Sequence, residues 1–184
     1  MIIGITGTDG SGKGTAVDYL VRTFGYAHYS ARDLISAEVE QRGLVATREN
    51  LRLIGNELRR LHGDDVIVKK SLERMHKEGA AHIVIESIRA LAEAETLKAA
   101  GGVLLAIDAQ PEIRYKRISG RRHASDHVTY EQFLAQEALE MNDPDPHGMQ
   151  KAQVMAAADF TIQNDTTFDT LVQQLNTFLA KFSV

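Results

Sequence analysis

Gly7-Thr8-Asp9-Gly10-Ser11-Gly12-Lys13-Gly14-Thr15 sits between an apolar run, Met1-Ile2-Ile3-Gly4-Ile5-Thr6, and an amphipathic stretch, Ala16 to Phe24. A strand, a glycine-rich turn and a helix in that order form a cradle for phosphate. The glycines let backbone N–H groups turn inward, Lys13 adds a point charge, and the first helical turn adds its positive dipole end. This commits the start of the chain to a strand–loop–helix unit and assigns phosphate contact to Gly7, Asp9, Gly10, Ser11, Gly12, Lys13, Gly14 and Thr15. The Ser or Thr that usually follows the lysine, and holds Mg²⁺, is Gly14 here, with Thr15 next. Thr15 is therefore expected on a phosphate, with at most an indirect role toward the metal.

The rest of the chain repeats the alternation that such a unit begins. Short apolar strands are expected at Ile2–Thr6, Tyr26–Tyr29, His82–Glu86, Val103–Asp108 and Phe160–Gln163. Helical patterns fall at Gly14–Phe24, Ala31–Arg42, Thr47–His62, Asp64–Glu78, Leu91–Ala99, Pro111–Arg122, Tyr130–Met141, Met149–Ala157 and Thr167–Phe182. The pattern predicts an α/β fold, with a five-stranded parallel sheet and helices on both faces. In the last helix Phe168, Leu171, Val172, Leu175, Phe178, Leu179 and Phe182 share one face and read as core. Asn142 to Gly148 holds two prolines and a glycine and must be a loop. At 184 residues one domain, 1–184, accommodates all of this.

Composition narrows the partners. A net charge of −4 offers no global basic field for nucleic acid, and no apolar run reaches bilayer-spanning length. There are no cysteines, which fits a cytoplasmic protein and excludes thiolate chemistry. The seven histidines make no metal-binding spacing. The expected partner is a small-molecule nucleotide acceptor, with no nucleic acid and no membrane, on a monomer or homodimer.

Three further stretches could serve phosphoryl transfer, which needs cations around oxygens and two reactants in line. An apolar strand ends in Glu86-Ser87-Ile88-Arg89, so an acid and an arginine reach the sheet's C-terminal edge. Ser30-Ala31-Arg32-Asp33 joins the second strand to a helix. Arg117-Ile118-Ser119-Gly120-Arg121-Arg122 follows the fourth strand and one helix. Arg52 and Arg59 read as a solvated helix face first and as site residues second.

Together these residues resemble the P-loop nucleoside monophosphate kinase superfamily. Gly-x-x-Gly-x-Gly-Lys-Gly-Thr is similar to the adenylate-kinase branch, and Thr161-Ile162-Gln163-Asn164-Asp165 to dephospho-CoA kinases, where this loop borders the ATP base. The resemblance implies a helical monophosphate-binding segment at about 31–78, a small lid at about 117–148, and ATP with Mg²⁺ as cofactors. It places Arg117 against the nucleotide base, with Asn164 beside it, and Arg121 on phosphates. It gives Ser30, Arg32, Asp33 and Arg89 to the acceptor, and Glu86 to the metal through water. Lys13, Arg89, Arg117 and Arg121 become the catalytic set. The family's second lid arginine pair is missing, and Lys151 or His147 could replace it. Glu93, four residues after Arg89 and on the same helical face, stands where that family reads the acceptor base. An ionised carboxylate there would favour a cytosine or guanine acceptor.

The implied activity is ATP-dependent phosphorylation of a nucleoside or deoxynucleoside monophosphate. Two alternatives stand beside it. One is dephospho-CoA kinase, with Asp9 or Asp33 as base. The other is a slow or non-catalytic ATP-binding switch.

Overall fold

The computed structural model describes residues 1–120 and 129–182. Five strands, β1 (Ile2–Gly7), β2 (Ala27–Ser30), β3 (Ile83–Glu86), β4 (Val103–Asp108) and β5 (Phe160–Gln163), form one sheet in the order β2-β3-β1-β4-β5. Every pairing is parallel. After β1 the chain builds one side of the sheet with β2 and β3, then crosses to the other with β4 and β5. The switch point is the C-terminal end of β1, where open α/β sheets bind ligands. The glycine-rich loop leaves β1 there.

The helices are α1 (Lys13–Phe24), α2 (Ala31–Gln41), α3 (Arg48–His62), α4 (Val66–Glu78), α5 (Leu91–Ala99), α6 (Pro111–Ser119), α7 (Tyr130–Met141), α8 (Lys151–Ala156) and α9 (Phe168–Phe182). Strand alternation sends side chains to opposite faces. Ile3, Ile5, Leu105, Ile107 and Ile162 meet α1 and α9 through Val17, Leu20, Leu171, Leu175 and Phe178. On the other face Ile83, Ile85 and Leu104 meet Val68, Leu97 and Val154. A third cluster, Ala31, Ile35, Val39, Ile54, Leu58, Val66 and Ile67, holds α2, α3 and α4 to one another. The expected helical segment at 31–78 thus carries its own apolar centre beside the sheet.

Several boundaries differ from expectation for local reasons. The second strand runs Ala27–Ser30, because it pairs with β3 from Ala27↔Ile83 to Ser30↔Glu86. Thr47, expected as the first residue of the helix, caps α3, its side chain accepting from Asn50 N–H. Asp65 rather than Asp64 precedes α4, and its carboxylate serves Thr96 and Lys69 instead of capping. The expected helix from Met149 begins at Lys151. Phe168 opens α9 and is 57% exposed, so it does not join the core face. Residues 121–128, which include Arg121, lie outside the described residues. Among the described residues no helix is long and apolar enough to cross a membrane.

The last helix provides a direct test. Phe178 is fully buried and packs on Phe160 and Phe182 with ring centroids 5.7 and 5.2 Å away. Phe178→Ala is expected to cost about 3–5 kcal/mol of unfolding free energy in urea melts. Phe168→Ala should shift it by no more than about 0.5 kcal/mol. Equal losses would place both rings in the core.

Candidate functional site

The loop after β1 is shaped by crowding on its outer side. Gly12 has φ 102°, and a Cβ there would stand 2.4 Å from Asn164 Nδ2. A Cβ on Gly10 would stand 2.7 Å from the Arg114 carbonyl oxygen. Asn164 Nδ2 donates to the Ser11 carbonyl at 2.8 Å, and Thr8 Oγ1 donates to Asp108 Oδ1 at 2.5 Å. Side chains from β4, α6 and the chain after β5 therefore hold the loop from behind. Helix α1 begins at Lys13 with no side-chain cap and no acid in its first turn. Its first N–H groups and its dipole are left for an anion.

Lys13 Nζ donates to the Gly7 and Thr8 carbonyls at 3.1 and 2.7 Å and lies 3.8 Å from Asp9 Oδ1. Burial lowers its pKa to about 8; Asp9 and Glu86 oppose that shift, while Lys151 and Arg89 add to it. Asp9 also meets Arg48 Nη2 at 2.6 Å and Lys151 Nζ at 3.2 Å. Glu140, from α7, pairs with the same Arg48 at 2.5 Å and with Lys151. Burial pushes the Asp9 carboxyl up, yet Lys151, Lys13, Arg89 and Arg48 together hold it well below its ordinary value. Two carboxylates thus face four cations here, the arrangement expected where further negative charge is to be received.

A cavity of about 490 Å³ opens between this loop and the segment α2–α3. Ser30, Arg32, Arg48, Arg52, Arg59 and Arg89 contribute polar groups to its wall. Arg89 is fixed at its backbone. Ser87 takes φ 70°, and Ser87 and Ile88 N–H both donate to the Ile5 carbonyl. The Arg89 N–H donates to Glu93 Oε2 at 2.7 Å, and its carbonyl accepts from Gln150 N–H at 2.7 Å. Among the described residues neither Arg32 nor Arg89 has a carboxylate within ion-pairing distance. Arg89 Nη1 rests instead on Met149 Sδ at 3.4 Å.

Most expected residues lie where the sequence puts them. Asp9, Gly10, Gly12, Lys13, Gly14 and Thr15 line the cavity, as do Ser30, Arg32, Glu86 and Arg89. Gly7 and Ser11 are in the loop but off the cavity wall. Glu86 shares its carboxylate with His28 Nε2 at 3.1 Å, a neighbour that parallel pairing of β2 and β3 supplies. That hydrogen bond, against burial, lowers the Glu86 pKa, helped by the His28, Lys13 and Arg89 charges.

Four placements correct the sequence reading. Glu93 cannot read a base. It is fully buried, with Oε1 on Arg59 and Oε2 on the Arg89 and Ala90 N–H groups. Asn164 is buried behind the loop rather than at a nucleotide base. Asp33 is exposed and off the cavity wall, with its N–H satisfied by the Ser30 cap. Arg117 reaches the loop from behind, with Nη1 3.5 Å from the Gly10 carbonyl, and does not line the cavity. His147 is held by Asp64 at 2.8 Å, away from the loop, whereas Lys151 is part of the charge cluster.

Arg48, Arg114 and Glu140 were missed by sequence reasoning. Arg48, Arg52, Gly55 and Arg59 recur at helical spacing and would have marked a cavity-facing stripe. Arg114, ion-paired with Glu137, carries no such signal, since it acts on the back of the loop.

The AAA domain family matches residues 3–143. A UPF0200 protein from Methanothrix thermoacetophila is 34% identical over 180 residues, covering 97% of this chain and 96% of its own. Among solved structures, shikimate kinase from Bacteroides thetaiotaomicron superposes with a TM-score of 0.63 at 12% identity. It covers 100% of this chain and 99% of that one. A gluconokinase from Sinorhizobium meliloti superposes at 0.58 and 14% identity, covering 97% and 91%. These structural likenesses match the fold, a parallel α/β sheet of the P-loop kinase type. With likeness running the length of both sequences, the chain belongs to the UPF0200 family and carries the AAA-domain match over its phosphate loop.

Proposed function

We propose that this protein is an ATP-dependent phosphotransferase whose acceptor is a nucleoside or deoxynucleoside monophosphate. One observation carries the reading: Arg32 and Arg89 line the wall of the phosphate-loop cavity, and among the described residues neither guanidinium has a carboxylate within ion-pairing distance. Arginine is suited to bidentate contact with a phosphate, and a pair of unpaired guanidiniums in one crevice calls for such an anion.

In this reading the triphosphate of ATP lies along Gly10 to Thr15, with Lys13 released from the Gly7 and Thr8 carbonyls onto phosphate oxygen. Arg32 and Arg89 neutralise the acceptor's phosphate and hold one of its oxygens in line with the transferred group. That oxygen is already an anion, so no base is needed. Glu86 and Thr15 are the cavity residues suited to holding Mg²⁺ through water, and the ion would offset charge between donor oxygens. Arg121, on the transferred phosphoryl, remains part of the proposal as a lid residue. A cysteine-free chain suits work in the cytoplasm.

A hydroxyl acceptor, as in dephospho-CoA, finds less support. A base must accept a proton, and Asp9 is held as a carboxylate by surrounding cations while Asp33 lies off the cavity.

Mixing ATP with each monophosphate and following ADP tests the activity. Acceptor-dependent ADP formation is expected, and a rate that no acceptor changes would refute it. Arg89→Ala should cost about 2–4 kcal/mol of acceptor binding, read as a raised acceptor KM, with ATP affinity nearly unchanged. An equal loss in both would assign Arg89 to the donor.

Lys13 links binding to pH. Its free pKa of about 8 must rise when phosphates replace carbonyl oxygens, because added negative charge favours the ammonium. ATP binding at pH 8 should therefore take up about half a proton, and affinity should fall as pH rises beyond that. Calorimetry in buffers of different ionisation enthalpy measures the uptake. Lys13→Ala should abolish both the uptake and the transfer while leaving the fold intact, since the buried ammonium makes no core contact.

A further inference from the structure

Gly55 stands in the middle of α3, where glycine weakens a helix relative to alanine. A Cβ placed on it would lie 3.2 Å from Ile35 Cδ1 and 3.7 Å from Arg59 Nη1. Gly55, Ile35 and Arg59 all line the cavity, and Leu51 lines it beside them. With no Cβ at Gly55, Ile35 packs close against α3, and the cavity wall they share is apolar with one edge of a guanidinium beside it.

That edge is an unused donor. Arg59 is only 2% exposed, and its Nε and Nη2 both donate to Glu93 Oε1, at 3.2 and 3.1 Å. Nη1 has no acceptor among the described residues. Among the described residues the sealed polar atoms without a partner are Ser11 Oγ, Asn56 Oδ1 and Gln136 Oε1, and Nη1 is not one of them. Nη1 is thus open to the cavity, and a buried charged group held rigidly with a free N–H calls for an acceptor.

We infer that Arg59 determines acceptor specificity, its Nη1–H meeting the exocyclic carbonyl of an oxo-substituted base seated against the apolar wall at Gly55. This rests on the cavity being a monophosphate site and names the class of base it takes. Arginine donates and never accepts. The exocyclic carbonyl of guanine, uracil or thymine satisfies it, whereas adenine carries an amino donor at the corresponding position and sets donor against donor there. Ile35 and Leu51 provide the apolar walls that a flat ring needs. Glu93 fixes both readers at once, because Oε1 holds Arg59 and Oε2 holds the Arg89 N–H.

Gly55→Ala puts a methyl into that wall, 3.2 Å from Ile35 Cδ1, and so pushes Ile35 toward the cavity. Arg59→Met/Glu93→Gln removes the donor without leaving a lone buried charge. All ribo- and deoxyribonucleoside monophosphates are assayed with ATP on the wild type and both variants, alongside ATP affinity and Tm. The wild type is expected to favour an oxo-base monophosphate over AMP by at least about tenfold in kcat/KM, as hydrogen-bonding sites discriminate. Gly55→Ala should raise the KM of that acceptor without lowering ATP affinity, and the double variant should bring the two acceptors close to parity. A wild-type preference for AMP overturns the inference, as does a selectivity that neither variant moves. If no monophosphate accepts phosphate, the proposed activity falls, and calorimetric binding of guanosine, uridine and adenosine decides this inference separately. Oxo-nucleoside binding lost in Gly55→Ala then supports it, and equal or absent binding of the three overturns it.

Discussion

Like charges repel, and the crevice at the end of β1 gathers Lys13, Arg48, Arg89 and Lys151 against two carboxylates, Asp9 and Glu140. Such a concentration persists only where the surrounding structure prevents the cations from moving apart. Here each comes from a different element: the loop into α1, the start of α3, the turn after β3, and the start of α8. The fold has to hold those four elements together before the crevice can exist. The parallel sheet does so by ending β1 and β3 side by side, and the helices follow from where the sheet sends the chain.

The acceptor side depends on the same economy of anchors. Glu93 is one buried carboxylate, yet it caps the start of α5, pins the Arg89 turn and holds Arg59 at the cavity wall. Segment 31–78 is fastened to the rest of the protein at further points: Arg52 on Asp143, Asn56 on Asp143 and Asp145, His147 on Asp64, and Thr96 on Asp65. The proline-bearing loop after α7 is the counterpart of these contacts. Its acids meet polar groups of α3, which explains how an irregular stretch can pack closely against a helix.

The phosphate loop, the five strands and the positions of Glu86 and Arg89 were legible in the sequence because they rest on local rules. Glycines, a lysine and alternating apolar runs act within a few residues of one another. What was not legible depends on partners distant in the chain. Glu93 stood as the acceptor-base reader on the Arg89 face of a helix, but Arg59, 34 residues earlier, draws it into the interior. Asn164 looked like a base-side residue until the loop's own back surface claimed it. The histidines carried no pattern in the sequence, and only the β2–β3 register sets His28 on Glu86. Phe168 obeyed the helical period but precedes the point where α9 meets the sheet. Periodicity reports which face a residue is on, not whether anything covers that turn.

The Arg59–Glu93 pair also constrains how this chain can change over time. Either residue alone, once replaced by a neutral one, leaves its partner as a lone charge in the interior, at a cost of about 3–5 kcal/mol. That is a large share of the stability typical of a domain. Descendants can reach a different pair at these positions only through a double change, or through a first step tolerated because stability is in surplus elsewhere. Two sites far apart in sequence therefore drift as one, and the turn that carries Arg89 is carried along with them.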